Sequence, residues 1–214
     1  MNNAEIAHLR AEYTKGQLDV DDVLPDPLKQ FELWFGQALN AGITEPNAMT
    51  LSTVSPDKRP SSRTVLLKGV DAEGFVFYTN YNSRKGKQLS ANPYASLVFL
   101  WLELQRQVLI EGITEKVSKE ESDEYFAVRP RESQLGAVAS EQSTEIESRN
   151  KLENNFKDIE DKYKGKPVPR PENWGGFRLI PNRIEFWQGR ENRLHDRVLY
   201  LLNGNSWEIK RLAP

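Results

Sequence analysis

The chain has 214 residues, with 29 Lys and Arg against 31 Asp and Glu, two His and no Cys, for a formal charge of −2. That length supplies one large core or two small ones. Without cysteine there is no disulfide framework, thiolate zinc site, iron–sulfur cluster or Cys nucleophile, and two histidines cannot build a His-rich metal centre.

The most apolar run, Ala95 to Leu102, is far too short to cross a bilayer. The start, Met1-Asn-Asn-Ala-Glu5, has neither the basic residues nor the apolar run of a signal peptide, so a cytoplasmic protein with no membrane partner is expected. The charge is segregated along the chain. Lys58 to Lys87 carries seven basic and two acidic residues, Glu115 to Asp161 seven and thirteen, and Arg170 to Pro214 eight and five. A nucleic-acid binder is normally basic overall. Local basic segments in a neutral chain suit a small anionic ligand better.

An N-terminal arm over about residues 1–25 includes a possible short helix from Ala4 to Tyr13. The first strong helix begins at Asp26-Pro27, with Asp to cap and Pro suited to the first turn, and Gly42 to end it. Met49 to Ser55, Ser62 to Val70 and Phe75 to Asn80 read as strands, and Ser83 to Ser90 as a short helix. Tyr94 to Trp101 and Gln107 to Thr114 are two more strands. Ser118, with Glu121 three residues on, opens an acidic helical section that Pro130 interrupts. A polar helix over about Thr144 to Tyr163 precedes a proline-rich stretch. Strands resume at Gly176 to Ile180, Arg183 to Trp187 and Asp196 to Leu202, and Asn203-Gly-Asn205 turns into Trp207 to Leu212. Short strands joined by tight turns, with helices grouped rather than alternating, give a mainly β (α+β) class. The architecture expected is an antiparallel barrel with peripheral helices in a single domain, 1–214.

No Gly-x-Gly-x-x-Gly, phosphate loop, His-Glu-x-x-His or Gly-x-Ser-x-Gly is present. Four segments could carry chemistry. In Arg63-Thr-Val-Leu-Leu-Lys68 the two cations share strand faces with aliphatic residues; they either snorkel at strand ends or each bind a phosphate. Tyr78-Thr79-Asn80 leads into Ser83-Arg84-Lys85, a helix start that is either merely solvated or an anion site. Tyr125 and Arg129 lie four apart on one helical face, with Ser133 just beyond Pro130, which equally suits a helix-ending Arg. Arg193-Leu-His195-Asp-Arg197, if extended, gathers two guanidiniums and an imidazole on one face, where they depress the His pKa unless an anion sits among them. Trp187 upstream offers a flat surface or a core side chain. Together these suit a phosphorylated heteroaromatic, with the chemistry supplied by a bound cofactor.

Ile184-Glu-Phe-Trp-Gln188, a four-residue spacer and Arg193-Leu-His-Asp-Arg197 resemble the signature of the pyridoxine (pyridoxamine) 5′-phosphate oxidase family. The likeness extends from Ala7-His-Leu-Arg10 to the terminal Arg211-Leu-Ala-Pro214. It implies an FMN-binding split β-barrel, a homodimer with FMN between subunits, and oxidation of pyridoxine or pyridoxamine 5′-phosphate to pyridoxal 5′-phosphate by O2, releasing H2O2. By this resemblance Arg63, Thr64, Val65, Leu66, Leu67, Lys68, Tyr78, Thr79, Arg84 and Lys85 contact FMN, chiefly around its phosphate and ribityl chain. Gln107, Gln142, Ser143, Trp187 and Arg197 complete the flavin site, some from the partner subunit. Lys68, Tyr125, Arg129 and Ser133 hold the substrate phosphate. Arg193 and His195 are the catalytic pair at the pyridine ring, with Leu194 between them, and Arg10 and Tyr13 fold over it. Rival readings are a flavin reductase with a nicotinamide donor and a non-enzymatic flavin or vitamer carrier.

Overall fold

The computed structural model describes residues 2, 6, 8 and 12–214. Arg10 and most of the helix expected over residues 4–13 lie outside that set. Among the described residues, nine strands make one hydrogen-bonded sheet in the order β2-β1-β5-β6-β7-β4-β3, with β8 on β7 and β9 on β8. They are β1 (Ala48–Val54), β2 (Pro60–Leu66), β3 (Gly69–Asp71), β4 (Gly74–Asn80), β5 (Tyr94–Trp101), β6 (Arg106–Lys116), β7 (Trp174–Gln188), β8 (Asp196–Asn203) and β9 (Ser206–Leu212). Five helices are described: α1 (Pro27–Asn40), α2 (Arg84–Ala91), α3 (Lys119–Ala127), α4 (Arg131–Ala139) and α5 (Arg149–Lys162). The β4–β7, β7–β8 and β8–β9 ladders are antiparallel. This is the mainly β, antiparallel class expected, with helices outside the sheet. No described helix is long and apolar enough to cross a membrane.

Contacts divide the chain into two compact units, one of residues 1–50, 97–111 and 182–214, the other of 51–96 and 112–181. In the first, the Asp26 carboxylate accepts from Leu28 N at 2.8 Å and starts α1. The helix buries Leu28, Phe31, Trp34 and Ala38, with Phe31 4.9 Å from Phe99 and Trp34 edge-on to Phe186 at 5.1 Å. In the second, Phe126, Leu135, Val168 and Trp174 form a cluster against which Phe156 and Ile159 of α5 pack.

Three local expectations change. The strand expected over Ser62 to Val70 breaks at Leu67-Lys68, where Lys68 N donates to Val76 O at 2.8 Å as the chain leaves β2 for the β3–β4 hairpin. The two strands expected at Gly176–Ile180 and Arg183–Trp187 are one strand, β7, running through Pro181. Residues 174–179 of β7 pair with β4 and 183–188 with β8, so the proline falls where the partner on that edge changes and a ladder donor is not needed there. The polar helix starts at Arg149 rather than near Thr144, because Ser148 caps it by accepting from Lys151 N at 3.2 Å.

Candidate active site

The second unit holds a cavity of about 500 Å3, within the roughly 300–1,000 Å3 range of small-molecule sites. Thr64, Val65, Leu66 and Lys68 line it from β2 and its exit, and Tyr78 and Thr79 from β4. Lys85 comes from α2, Tyr125 and Arg129 from α3 and its end, Ser133 from α4 and Gln142 from the loop beyond. Two segments that sequence reasoning treated as separate candidate phosphate sites therefore share one cavity with the β2 strand. Its lining includes Lys68, Lys85 and Arg129 but no Asp or Glu.

Each cation is seated by a local device. Ser83 caps α2 by accepting from Gly86 N at 3.2 Å, and a Cβ on Gly86 would stand 2.3 Å from Tyr81 O, so only glycine lets the helix start this close. That seating brings Lys85 Nζ to Thr79 Oγ1 and Gln142 Oε1, both at 3.2 Å. Burial, and then the charge of Arg63, hold Lys85 below the ordinary lysine pKa. Arg63 is itself held low by burial and then by Arg84. These cations are mutually repulsive, and a bound anion relieves them.

Arg129 follows Tyr125 by one turn. Its guanidinium lies 4.5 Å over the Trp174 ring and 5.6 Å from that of Phe126, and Nη1 is buried without a partner. Tyr78 and Tyr125 stack at 3.9 Å and 18°, and Trp174 lies nearly parallel to both. Burial pushes the Tyr78 hydroxyl up to about 12, so at neutral pH it keeps its proton.

Arg63, Leu67, Arg84 and Ser143 do not line this cavity. Arg63 donates to Leu51 O at 3.1 Å, Thr53 Oγ1 at 2.6 Å and Ser61 Oγ at 2.7 Å. Leu67 is buried, at 7% exposure. Ser143, at φ 72°, lines a separate hollow beside α5. Asn80, part of the second candidate segment, also lines the cavity, as do Trp174, Gly136, Ala137 and Ser140, which were missed. For Trp174 the available signal was its place in Asn-Trp-Gly-Gly, where a Cβ on Gly176 would meet Tyr78 at 2.9 Å.

The first unit carries the other cluster. Tyr13 is edge-on to Trp187 at 5.8 Å and to His195 at 5.6 Å, and Trp187 and His195 are 4.6 Å apart. A Cβ on Gly189 would stand 2.8 Å from Tyr13 Cγ, so glycine admits the tyrosine. Arg190 N donates to His195 Nδ1 at 3.1 Å, which places the neutral ring's proton on Nε2. Burial and then Arg193 hold the His195 pKa low, while Asp196 pulls it up. His195 is therefore neutral at pH 7 with Nε2–H as a donor.

The expected extended face of residues 193, 195 and 197 is not formed. Residues Glu191–Arg193 make a 3-10 turn with Asn192 at φ 56° and Arg193 at φ 60°, a left-handed conformation that costs non-glycine residues energy and recurs at functional sites. Arg193 and Leu194 are exposed. Arg197 lies opposite Trp187 in the β7–β8 ladder and grips buried Glu185 through two bonds of 2.8 and 3.0 Å, donating a third to Ala213 O at 2.9 Å. Gln107 stands half-buried on β6.

Comparison with known proteins identifies the family. A family model for pyridoxamine 5′-phosphate oxidase matches residues 35–163, and one for the pyridoxine 5′-phosphate oxidase C-terminal dimerisation region matches 174–214. The pyridoxine/pyridoxamine 5′-phosphate oxidase of Rubrobacter xylanophilus is 58% identical over 98% of this chain and 97% of its own, and that of Gloeothece citriformis 59% over 98% of each. Among solved structures, PhzG from Burkholderia lata 383, in complex with tetrahydrophenazine-1-carboxylic acid, is 32% identical with a TM-score of 0.87, covering 93% of this chain and all of that one. An FMN-binding protein of Nostoc punctiforme related to pyridoxamine 5′-phosphate oxidase shares the fold, at a TM-score of 0.70 and 18% identity. The chain belongs to the pyridoxine/pyridoxamine 5′-phosphate oxidase family.

Proposed function

We propose that this protein is an FMN-dependent oxidase that converts pyridoxine or pyridoxamine 5′-phosphate to pyridoxal 5′-phosphate, working as a homodimer in the cytoplasm. The observation that carries this reading is the carboxylate-free cavity with three cations and a buried, unpartnered Arg129 Nη1. A buried cationic donor without a partner costs free energy that an anionic ligand recovers, and the residues present fit a flavin phosphate and a second, substrate phosphate.

In this reading Lys85, at the α2 start, together with Thr79, Arg84 and Gln142, holds the FMN phosphate and ribityl chain. Arg63, engaged with Thr53 and Ser61, supplies long-range positive charge. Arg129, Lys68, Ser133 and Tyr125 hold the substrate phosphate. Trp187, Arg193 and His195 belong to the ring site, which a second copy of the chain completes, in keeping with the match of 174–214 to a dimerisation region. Bound FMN supplies a two-electron acceptor for hydride from substrate C4′ and a route to O2, giving H2O2, with water entering and ammonia leaving when the substrate is the amine. The protein's share is position and polarity. His195 donates from Nε2 toward the C4′ substituent, and Arg193, held out by its strained turn, orients the ring.

The purified protein is expected to be yellow, to release FMN on denaturation and to form peroxide on addition of pyridoxamine 5′-phosphate without a nicotinamide donor. A colourless protein that stays inert after soaking in FMN overturns the reading. Peroxide formed with a tetrahydrophenazine carboxylate but not with the phosphorylated vitamers would instead transfer the substrate to the class of ligand that the Burkholderia relative holds.

A further inference from the structure

The sharp turn between β5 and β6 places Gln105 in the left-handed region, at φ 55°. Its two ends bind two different parts of the first unit. Through its side chain, Oε1 accepts from Thr14 N at 2.9 Å and Lys15 N at 3.0 Å, and Nε2 donates to Glu12 O at 3.2 Å. Through its main chain, Gln105 O accepts from Gly189 N at 2.8 Å and from the Gln188 side chain at 3.2 Å. One residue thus ties the segment that carries Tyr13 to the corner that carries Trp187 and leads to His195.

The arrangement is tight on both sides. Gln188 is fully buried, and its Oε1 accepts from Arg106 Nε at 2.8 Å, which fixes the corner. A Cβ on Gly16 would stand 2.9 Å from Gln188 Oε1, so the segment lies directly on that buried amide. Further along, Leu18 N donates to Asp196 Oδ2 at 3.1 Å and Arg211 donates to Leu18 O at 3.1 Å. Residues 12–18 are therefore a strap pinned at both ends, with Tyr13 next to the Gln105 pin.

The geometry points to Gln105 as a positioning residue: by clamping the main chain of residues 12–15 it sets the Tyr13 ring against His195 and Trp187. The assignment of those rings to the substrate site rests on the oxidase reading above, but the clamp does not. The Gln105 side chain bonds to the main chain of residues 12, 14 and 15, and it acts through the strap. Three hydrogen bonds to one side chain hold four consecutive residues less firmly than a ladder does, so the strap opens locally when they are lost. A displacement of about 1 Å in a ring that shapes the site is enough to cost up to about 100-fold in turnover efficiency.

The test compares Gln105→Met, which keeps the size and removes all three bonds, with Gln105→Glu, which keeps the acceptor for Thr14 and Lys15. Amide exchange on the FMN-loaded protein without substrate reads the clamp itself. Thr14 and Lys15 amides are expected to exchange at least about tenfold faster in Gln105→Met and to stay protected in Gln105→Glu. Steady-state kinetics with pyridoxamine 5′-phosphate are expected to show about a tenfold loss of kcat/KM in Gln105→Met, largely recovered in Gln105→Glu, with FMN content unchanged in both. Unchanged protection of the two amides in Gln105→Met overturns the clamp. Faster exchange with unaltered kinetics, or a loss of activity that merely follows loss of FMN or of folded protein in both variants, overturns its positioning role. Failure of the wild-type protein to oxidise the vitamer defeats the oxidase reading and leaves the exchange result standing by itself.

Discussion

Replacing Arg129 by Met separates what the guanidinium does for the ligand from what it costs the fold. In the free protein Nη1 is buried without a partner, and burial holds the group below its ordinary pKa. An unsatisfied buried donor costs about 1–3 kcal/mol. Its contact with Trp174 at 4.5 Å returns about 0.5–2 kcal/mol. The two nearly cancel, and Met keeps the alkyl packing against Phe126 and Trp174, so Arg129→Met is expected to leave the free protein as stable as before or slightly more so. At about 2–4 °C per kcal/mol for a chain of this size, Tm moves by about 0–4 °C upward. Ligand binding goes the other way. One charge-assisted bond to phosphate is worth about 1.5–3 kcal/mol, which at 1.4 kcal/mol per decade raises KM for pyridoxamine 5′-phosphate about 10- to 150-fold. Thermal melts of the FMN-loaded protein with and without pyridoxal 5′-phosphate, beside peroxide-coupled kinetics, read both terms. The product should raise Tm in the wild type and much less in the variant. A fall in Tm of several degrees with KM unchanged would refute the reasoning, because it would make Arg129 a structural cation rather than a ligand group kept at the expense of stability.

Replacing Arg84 and Lys85 together by Ala should weaken FMN retention by tenfold or more while leaving the apoprotein folded, read by the fluorescence of released flavin at equilibrium; an equally loaded double variant contradicts the α2 phosphate site. Arg193→Leu should lower kcat/KM sharply at constant FMN content, since the exposed side chain has nothing to hold in the fold; unaltered turnover removes it from the ring site. For pH, His195 has a folded pKa below the ordinary 6.5, so the unfolded chain binds the proton more tightly. Its contribution to stability is present above pH 6.5 and is lost as pH falls below it. Melts from pH 7.5 to 5 should show the wild type losing more Tm than His195→Asn; parallel curves would mean that the imidazole titrates as if free.

Local chemistry explains why most of the fold could be read from the chain alone. Asp26 before Pro27, Ser118 before an acidic turn and Asn203-Gly204 each act within four residues, and each appears where expected: α1 begins at Pro27, Ser118 accepts from Glu121 N at 3.0 Å, and Gly204 at φ 61° closes the β8–β9 hairpin. Glu121, however, does not complete a capping box alone, because its carboxylate reaches Arg178 on β7. The failures share that cause. Pro181 reads as a strand break in any short window, and only the exchange of β4 for β8 as partner makes it harmless inside β7. Alternation put Arg193, His195 and Arg197 on one face, but Arg197 is claimed by Glu185, twelve residues back, and the intervening backbone turns left-handed.

The candidate site divides along the same line. Single cations at helix starts and strand ends were visible because their neighbours in sequence are polar and their spacing is regular. What was invisible is which of them lack a counter-charge in three dimensions. Arg178, Arg197 and Arg211 look no different in sequence from Arg129, yet they pair with Asp71, Glu185 and Asp196. Arg129, Lys68 and Lys85 instead line a cavity with no acid. The cations proposed to hold ligand in this cavity are thus ones that its lining leaves without a carboxylate, and Trp174, which no charge pattern marks, joins them because a flat ring can hold a guanidinium in place without neutralising it.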